Sequence, residues 1–264
     1  MDVSRRESLR ATFEEVPELY DRVRPTYPPE LFDELVALAG LRSGARLVEI
    51  GPGPGKATVP LAERGFEIVG IELGRRLAGL ARRNLARFPD VEIVNAQFES
   101  WEPAAADFDA VVSFTAFHWI APEVRYEKTA RLLREGGALA IVETSHVLPD
   151  GGDPFWVEVE DDYREVFPDD EPYAPPAPEE VVGLTAEIAA SGRFAAPEVR
   201  RYVWDVTYSA EDYIGVLETY SGHRAVDSGL REQLYERIRR RVDGRPGREV
   251  RKSYLALMSV ARRL

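Results

Sequence analysis

The sequence predicts an α/β fold: a mostly parallel sheet, one late antiparallel strand and an inserted helical cap. Three observations carry this. Short apolar runs recur at 47–50, 66–71, 91–94, 110–113 and 138–142, with helical patterns alternating between them. Such alternation builds one parallel sheet covered on both faces. The first run ends in Glu49-Ile50 and breaks into Gly51-Pro52-Gly53-Pro54-Gly55-Lys56. Glycines just past a buried strand let the backbone turn tightly and approach a ligand. The alternation then stops near Ser145, and the strongly alternating 200–208 stretch, with Tyr202, Trp204, Val206 and Tyr208 on one side, resumes a strand pattern later.

In chain order, Phe13, Val16, Leu19 and Tyr20 fall at helical spacing before Asp21-Arg22-Val23-Arg24-Pro25-Thr26-Tyr27-Pro28-Pro29. Each X-Pro step disfavours helix at the residue before it, so a short helix followed by an extended segment is expected. Pro29 suits the first turn of the next helix, whose apolar face (Leu31, Phe32, Leu35, Val36, Leu38) ends at Gly40. A turn at Ser43-Gly44 leads into the first strand. Residues 56–64 are predicted helical and closed by Gly65, with Pro60 tolerable near the first turn. The second strand ends in Glu72, and Leu77, Leu80, Ala81 and Leu85 mark an amphipathic helix. Residues 122–134 read as helix, and Gly136-Gly137 as a turn into the fifth strand.

Beyond Ser145, 154–167 reads as helix, with Trp156, Val159, Tyr163 and Val166 on one face. A proline-rich stretch follows, then a second helix from about Glu179 ended by Gly192. Ser209-Ala210-Glu211-Asp212 resembles a capping box and should open a helix through Tyr220. Residues 230–242 read as helix, 243–247 as turn and 250–260 as a closing strand. The expected organisation is 1–145 for the N-terminal helices and sheet core, 146–195 for an inserted cap, and 196–264 for late strands and helices.

Composition narrows the function classes. A chain of 264 residues can bury a sizeable core, as one enlarged domain or a domain plus a cap. The absence of cysteine excludes disulfides, thiolate catalysis and Cys-based zinc sites. No apolar stretch has the length of a membrane span, and Met1-Asp2-Val3-Ser4-Arg5-Arg6-Glu7 lacks a signal-peptide core. A cytoplasmic protein without membrane partners is expected, as monomer or homodimer. A net charge of -12 argues against a general nucleic-acid binder, which needs a basic face. The charge is uneven, acidic over 158–180 and arginine-rich over 231–263. Solvated helix faces explain this, as would an arginine-lined pocket for an acidic substrate.

The glycine turn fails as a phosphate loop. Counting back from Gly55-Lys56 puts Ile50 where the first glycine belongs, and Ala57 takes the Ser/Thr place. A dinucleotide fingerprint needs its third glycine three after the second, where Lys56 stands. Glu49 is the physical discriminator. A carboxylate at the end of the first strand would repel a pyrophosphate and favour a ligand carrying an ammonium group. Glu72, about twenty residues on, can hold ribose hydroxyls. A ligand with an amino-acid part, a nucleoside part and no phosphates between them is S-adenosylmethionine.

These stretches resemble the class I S-adenosylmethionine-dependent methyltransferases, whose Rossmann-like sheet the predicted elements match. Glu49-Ile50-Gly51-Pro52-Gly53-Pro54-Gly55 with Glu72 resembles their first two motifs. Phe108-Asp109-Ala110-Val111-Val112-Ser113 resembles the fourth strand, and Leu133-Arg134-Glu135-Gly136-Gly137-Ala138-Leu139 the approach to the fifth. The stretch from Tyr20 to Pro28, and Ala116-Phe117-His118-Trp119, resemble a small-molecule group related to trans-aconitate and quinone-pathway methyltransferases. The resemblance covers 13–143; beyond Ser145 it is architectural.

It implies that Glu49, Gly51, Gly53 and Gly55 hold the methionine part and Glu72 the ribose, with Leu73, Thr115, Tyr20 and Arg24 also at cofactor positions. Where the family usually has an acidic residue for the adenine amino group, this chain has Gln97, whose amide oxygen can accept the same bond. Phe98 could stack on the base; a structural glutamine beside a core phenylalanine is the other reading. The implied activity is methyl transfer to a small-molecule acceptor, a carboxylate or hydroxyl. The alternative is a binding protein that keeps the cofactor but has lost transfer.

Aligning acceptor and methyl group can supply most of the catalysis, and a base is needed only if the acceptor keeps its proton until late. His118, just past the fourth strand, is the candidate base, since its ordinary pKa lies near neutrality. A substrate or cofactor contact and a loop-positioning role are its other readings. Tyr27, Phe117, Trp119 and Trp156 are the candidate substrate contacts. His146 and His223 form no metal-ligand spacing with His118, so no metal is expected.

Overall fold

A computed structural model describes residues 15–264. Phe13 lies outside the described residues. The chain divides into two compact units. A sheet unit comprises Thr26–Thr144, Val182–Tyr202 and Ala256–Leu264; a helical unit comprises residues up to Pro25, Ser145–Val181 and Val203–Leu255.

Seven strands are present: β1 Arg46–Ile50, β2 Glu67–Glu72, β3 Val91–Asn95, β4 Phe108–Phe114, β5 Leu133–Val147, β6 Glu198–Ser209 and β7 Glu249–Arg262. Their order is β3-β2-β1-β4-β5-β7-β6. β1 pairs in parallel with both β2 and β4, β2 with β3, and β4 with β5. Beyond the end of β7, an isolated antiparallel bridge joins Arg263 to Phe194. The fold is the expected Rossmann-like one.

Continuous apolar strands demand cover on both faces, and they have it. Val48, Ile50, Ile71, Val111, Leu139 and Ile141 form one buried cluster with Phe98, Phe117 and Ile188. Ala78, Ala81 and Leu85 of the helix Arg75–Asn84 pack with Ile93 in another. The helix Pro29–Leu38 buries Leu31, Phe32 and Leu35 and opens at Pro29, as the sequence predicted.

Two expectations need correction. The predicted helix to Arg134 ends at Leu132, and Gly136-Gly137 lies within β5 rather than in a turn before it. The register between β4 and β5 slips there, from Phe108 opposite Leu133 to Ala110 opposite Ala138. Gly137 makes that bulge possible, because a Cβ would meet three backbone carbonyl oxygens at 3.0–3.2 Å. The helix expected from about Glu179 spans only Thr185–Ala190. Glu143 Oε2 accepts the Leu184 N–H at 3.1 Å, so the helix starts beyond it, and Gly192 ends it at φ +64.

The helical unit contains Pro17–Val23, Phe155–Glu158, Glu160–Val166, Ala210–Glu218, Ser221–Arg224 and Ser228–Asp243. Its core gathers Phe155, Trp156, Tyr213, Leu217, Leu234, Ile238 and Tyr254. Ser209 caps its helix as predicted, accepting the Asp212 N–H at 3.1 Å. The uneven charge is largely internal pairing. Arg237 and Arg241 meet the buried Asp162, and Arg245 meets the buried Asp153 together with Glu158. No helix among the described residues is long and apolar enough to cross a membrane.

Candidate functional site

The sheet unit gathers its polar features where β1, β2 and β4 end. Glu49 sits on β1 between Gly70 of β2 and Val112 of β4, so both neighbouring strands close over it. It is only 1% exposed, and its Oε2 has no hydrogen-bond partner among the described residues. Burial raises its pKa to about 7, with the Thr58 hydroxyl opposing and the Glu72 charge adding to it. A buried carboxylate left this way is poised to gain from a cation.

Beyond Ile50 the chain turns through three glycines with positive φ: Gly51 at +66, Gly53 at +57 and Gly55 at +98. A Cβ on Gly51 would lie 2.6 Å from the Ala116 Cβ, so the turn and the end of β4 can meet only through glycine. Nothing lies within 4 Å of a Cβ built on Gly53, which leaves its backbone open to approach. Glu72 braces this turn, Oε2 accepting the Gly53 N–H at 2.9 Å and Oε1 the Gly74 N–H at 2.8 Å. Leu73, beside it, is 43% exposed, an apolar side chain presented to solvent.

Asn95, which sequence reasoning missed, ties β3 to this edge. Its Nδ2 donates to the carbonyls of Glu72 and Leu73, both at 2.9 Å. Gln97 is exposed, whereas Phe98 is 2% exposed in the core with the Lys128 ammonium 5.4 Å from its ring centroid.

At the end of β4, Thr115 adopts φ +56, a left-handed conformation that a β-branched residue resists. Hydrogen bonds hold it there: its N–H reaches Val142 O at 2.7 Å, its hydroxyl donates to Thr144 at 3.0 Å, and Tyr27 lies at 3.1 Å. The Tyr27 ring meets Phe114 edge-on at 5.0 Å.

The 3-10 turn Phe117–Trp119 follows. Phe117 is buried against Tyr126, so it supports the turn from within. His118 is exposed, 4.9 Å from the Trp119 ring, and no hydrogen bond orients it among the described residues. The surrounding protein, then the nearby Arg125 guanidinium, push its pKa below the ordinary value, and solvent limits that shift. The imidazole is therefore neutral at pH 7 and able to accept a proton.

Tyr20, Arg24 and Trp156 belong to the helical unit. Arg24 donates from Nε to Thr219 Oγ1 at 2.7 Å and from Nη2 to Thr219 O at 3.0 Å. Its guanidinium lies over the rings of Tyr20 and Tyr220. Trp156 donates to Arg251 O at 2.9 Å. Among the described residues no group of three His, Cys, Asp or Glu side chains is placed to hold a metal.

A parallel sheet, a glycine turn after β1 and carboxylates near the ends of β1 and β2 share one edge of the fold, the edge where open α/β sheets bind ligands. Residues 47–137 match the family model of a methyltransferase domain. An uncharacterized methyltransferase of Mycobacterium tuberculosis is 32% identical over 142 residues, 54% of this chain and 55% of that protein. The chain thus spans about half the length of the curated relatives it matches. Two solved structures share the fold. A putative type II methyltransferase of Anaeromyxobacter dehalogenans gives a TM-score of 0.64 at 23% identity, covering 90% of this chain and 97% of that one. A putative methyltransferase of Bacillus halodurans gives 0.52 at 16% identity, covering 87% and 97%. The matched stretch 47–137 holds the glycine turn and both strand-end carboxylates, and it is similar to a methyltransferase domain.

Proposed function

We propose that the protein moves a methyl group from S-adenosylmethionine to a small-molecule acceptor, with a carboxylate or hydroxyl favoured. The observation that carries this is the buried Glu49 carboxylate, without a partner for Oε2, beside an open glycine turn. A phosphate cofactor would place its own negative charge against Glu49, whereas an ammonium group answers it.

When bound, S-adenosylmethionine supplies a methyl group already activated on a sulfonium. Glu49 and the turn of Gly51, Gly53 and Gly55 hold the amino-acid end. Glu72 accepts from ribose hydroxyls. Leu73 covers the base and Gln97 accepts from its amino group, while Phe98 backs that edge from the core. Thr115 fixes the end of β4 beside Tyr27, and Phe117 and Trp119 position the acceptor side of the turn. His118 takes the acceptor proton where there is one. Trp156 is the substrate candidate within the helical unit, and Tyr20 and Arg24 are the aromatic and polar groups of the stretch leading into Tyr27.

Calorimetry with S-adenosylhomocysteine, NAD and ATP tests the cofactor. Binding of NAD or ATP without S-adenosylhomocysteine overturns the reading. A radiolabelled methyl screen over small acids, phenols and amines then tests transfer. The second reading, a protein that binds the cofactor without transferring, is favoured by the absence of an orienting partner for His118. It predicts tight S-adenosylhomocysteine binding and no labelled product.

A further inference from the structure

Within the helical unit, a buried cation has no carboxylate partner among the described residues. Lys252 is one of three lysines in a chain otherwise rich in arginine, and it lies 3% exposed on β7. Four aromatic rings surround its ammonium: Trp156 at 4.7 Å, Tyr254 at 5.5 Å, and Tyr213 and Tyr220 at 5.6 Å. The Tyr220 phenol also interacts with it electrostatically. The Arg24 guanidinium lies 4.2 Å from the centroid of that same Tyr220 ring and 5.1 Å from that of Tyr20.

The contrast with the rest of the unit is informative. Arg237, Arg241 and Arg245 all meet carboxylates. Among the described residues, none pairs with Lys252 or Arg24, whose partners are a phenol, ring faces and Thr219. Ring faces recover part of the cost of taking an ammonium out of water, but not all of it. Burial lowers the Lys252 pKa, with Tyr220 opposing. Burial likewise works to raise that of Tyr220, yet the Lys252 and Arg24 charges bring it below its ordinary value. The phenol is a stand-in for a stronger anion.

We propose that Lys252 and Arg24, with the Tyr220 hydroxyl, form a binding site for the carboxylate of a small molecule. The donor supply suits a two-oxygen monoanion. Two of the five Arg24 donors are already spent on Thr219, and what remains beside one ammonium is enough to bind both oxygens of a carboxylate. As the seat of the methyl acceptor, this site rests on the methyl-transfer reading; as an anion site it does not.

Isothermal titration of the full chain with acetate, succinate and benzoate, each against its amide, and with inorganic phosphate, tests the proposal. At least one acid should bind tenfold or more tighter than both its amide and phosphate. Lys252→Met and Arg24→Gln should each weaken it tenfold or more, while Lys252→Arg keeps most of it. Acids no better than their amides, phosphate better than every acid, or unchanged binding in both variants overturns the proposal. Circular dichroism and thermal melts of the same variants report folding, and Arg24→Gln decides the matter if Lys252→Met does not fold. Acid binding in a protein that ignores S-adenosylhomocysteine would leave this site standing and remove the methyl-transfer reading.

Discussion

The Glu72 carboxylate accepts the Gly53 backbone N–H at 2.9 Å, so the end of β2 fixes the glycine turn that follows β1. The same side chain holds the Gly74 N–H at the start of the next helix. One residue therefore carries two structural bonds besides its proposed contact with a ribose. Glu72→Ala should lower stability by about 1–3 kcal/mol, the usual cost of unsatisfied buried donors, and weaken S-adenosylhomocysteine binding at least tenfold. Thermal melts and calorimetry on the same sample separate the two effects. A stability loss with intact affinity would remove Glu72 from the cofactor site.

Gly51 and Gly53 should respond differently to alanine. Gly51→Ala forces a left-handed alanine and a Cβ 2.6 Å from that of Ala116, so a stability loss of about 2–4 kcal/mol is expected. Gly53→Ala meets open space, and its strain should cost only about 1 kcal/mol. If a ligand approaches that backbone, Gly53→Ala will lose affinity out of proportion to stability. Equal, small changes in both would argue against close approach at Gly53.

Glu49 makes both stability and binding pH-dependent. Its folded pKa, raised to about 7 from 4.5, means that the folded state holds the proton more tightly than the unfolded chain does. Stability without ligand should therefore fall as pH rises from about 4.5 to 7, by up to about 3 kcal/mol, and level off above. Glu49→Gln removes that slope. An ammonium ligand prefers the ionised carboxylate, so S-adenosylhomocysteine affinity should rise through pH 6–8 in the natural protein and stay flat in Glu49→Gln. Denaturant melts and calorimetry across that range check both signs.

His118→Ala should reduce turnover far more than S-adenosylhomocysteine affinity. The loss should depend on the acceptor. A phenol holds its proton at pH 7 and needs a base, whereas a carboxylate has already lost it. Turnover unchanged with every acceptor would remove His118 from the chemistry.

Much of the sheet unit was legible because its code is local. Apolar runs of strand length, glycines directly after the first and carboxylates closing the first and second can be read without knowing what they touch. The Asp162 and Asp153 arginine pairs were visible only as blocks of opposite charge, since their partners lie 75 to 92 residues away. Asn95 looked like any strand-end asparagine until its two carbonyl partners were in place. Thr115 gave no warning of its left-handed backbone, which distant hydrogen bonds impose. The helix near Glu179 was overestimated for the same reason: Glu143, some forty residues earlier, claims the Leu184 N–H.

The sequence alone determined the strand order's raw material, the glycine turn and the expectation of an ammonium-bearing cofactor rather than a phosphate, because these depend on residue type and short spacing. Only the tertiary structure decided which charges are left unanswered. Glu49 and Lys252 are ordinary ionisable residues in a chain with many acids and bases. Burial by strands and rings from distant segments strips them of water, and that is what turns each into an expectation of a ligand.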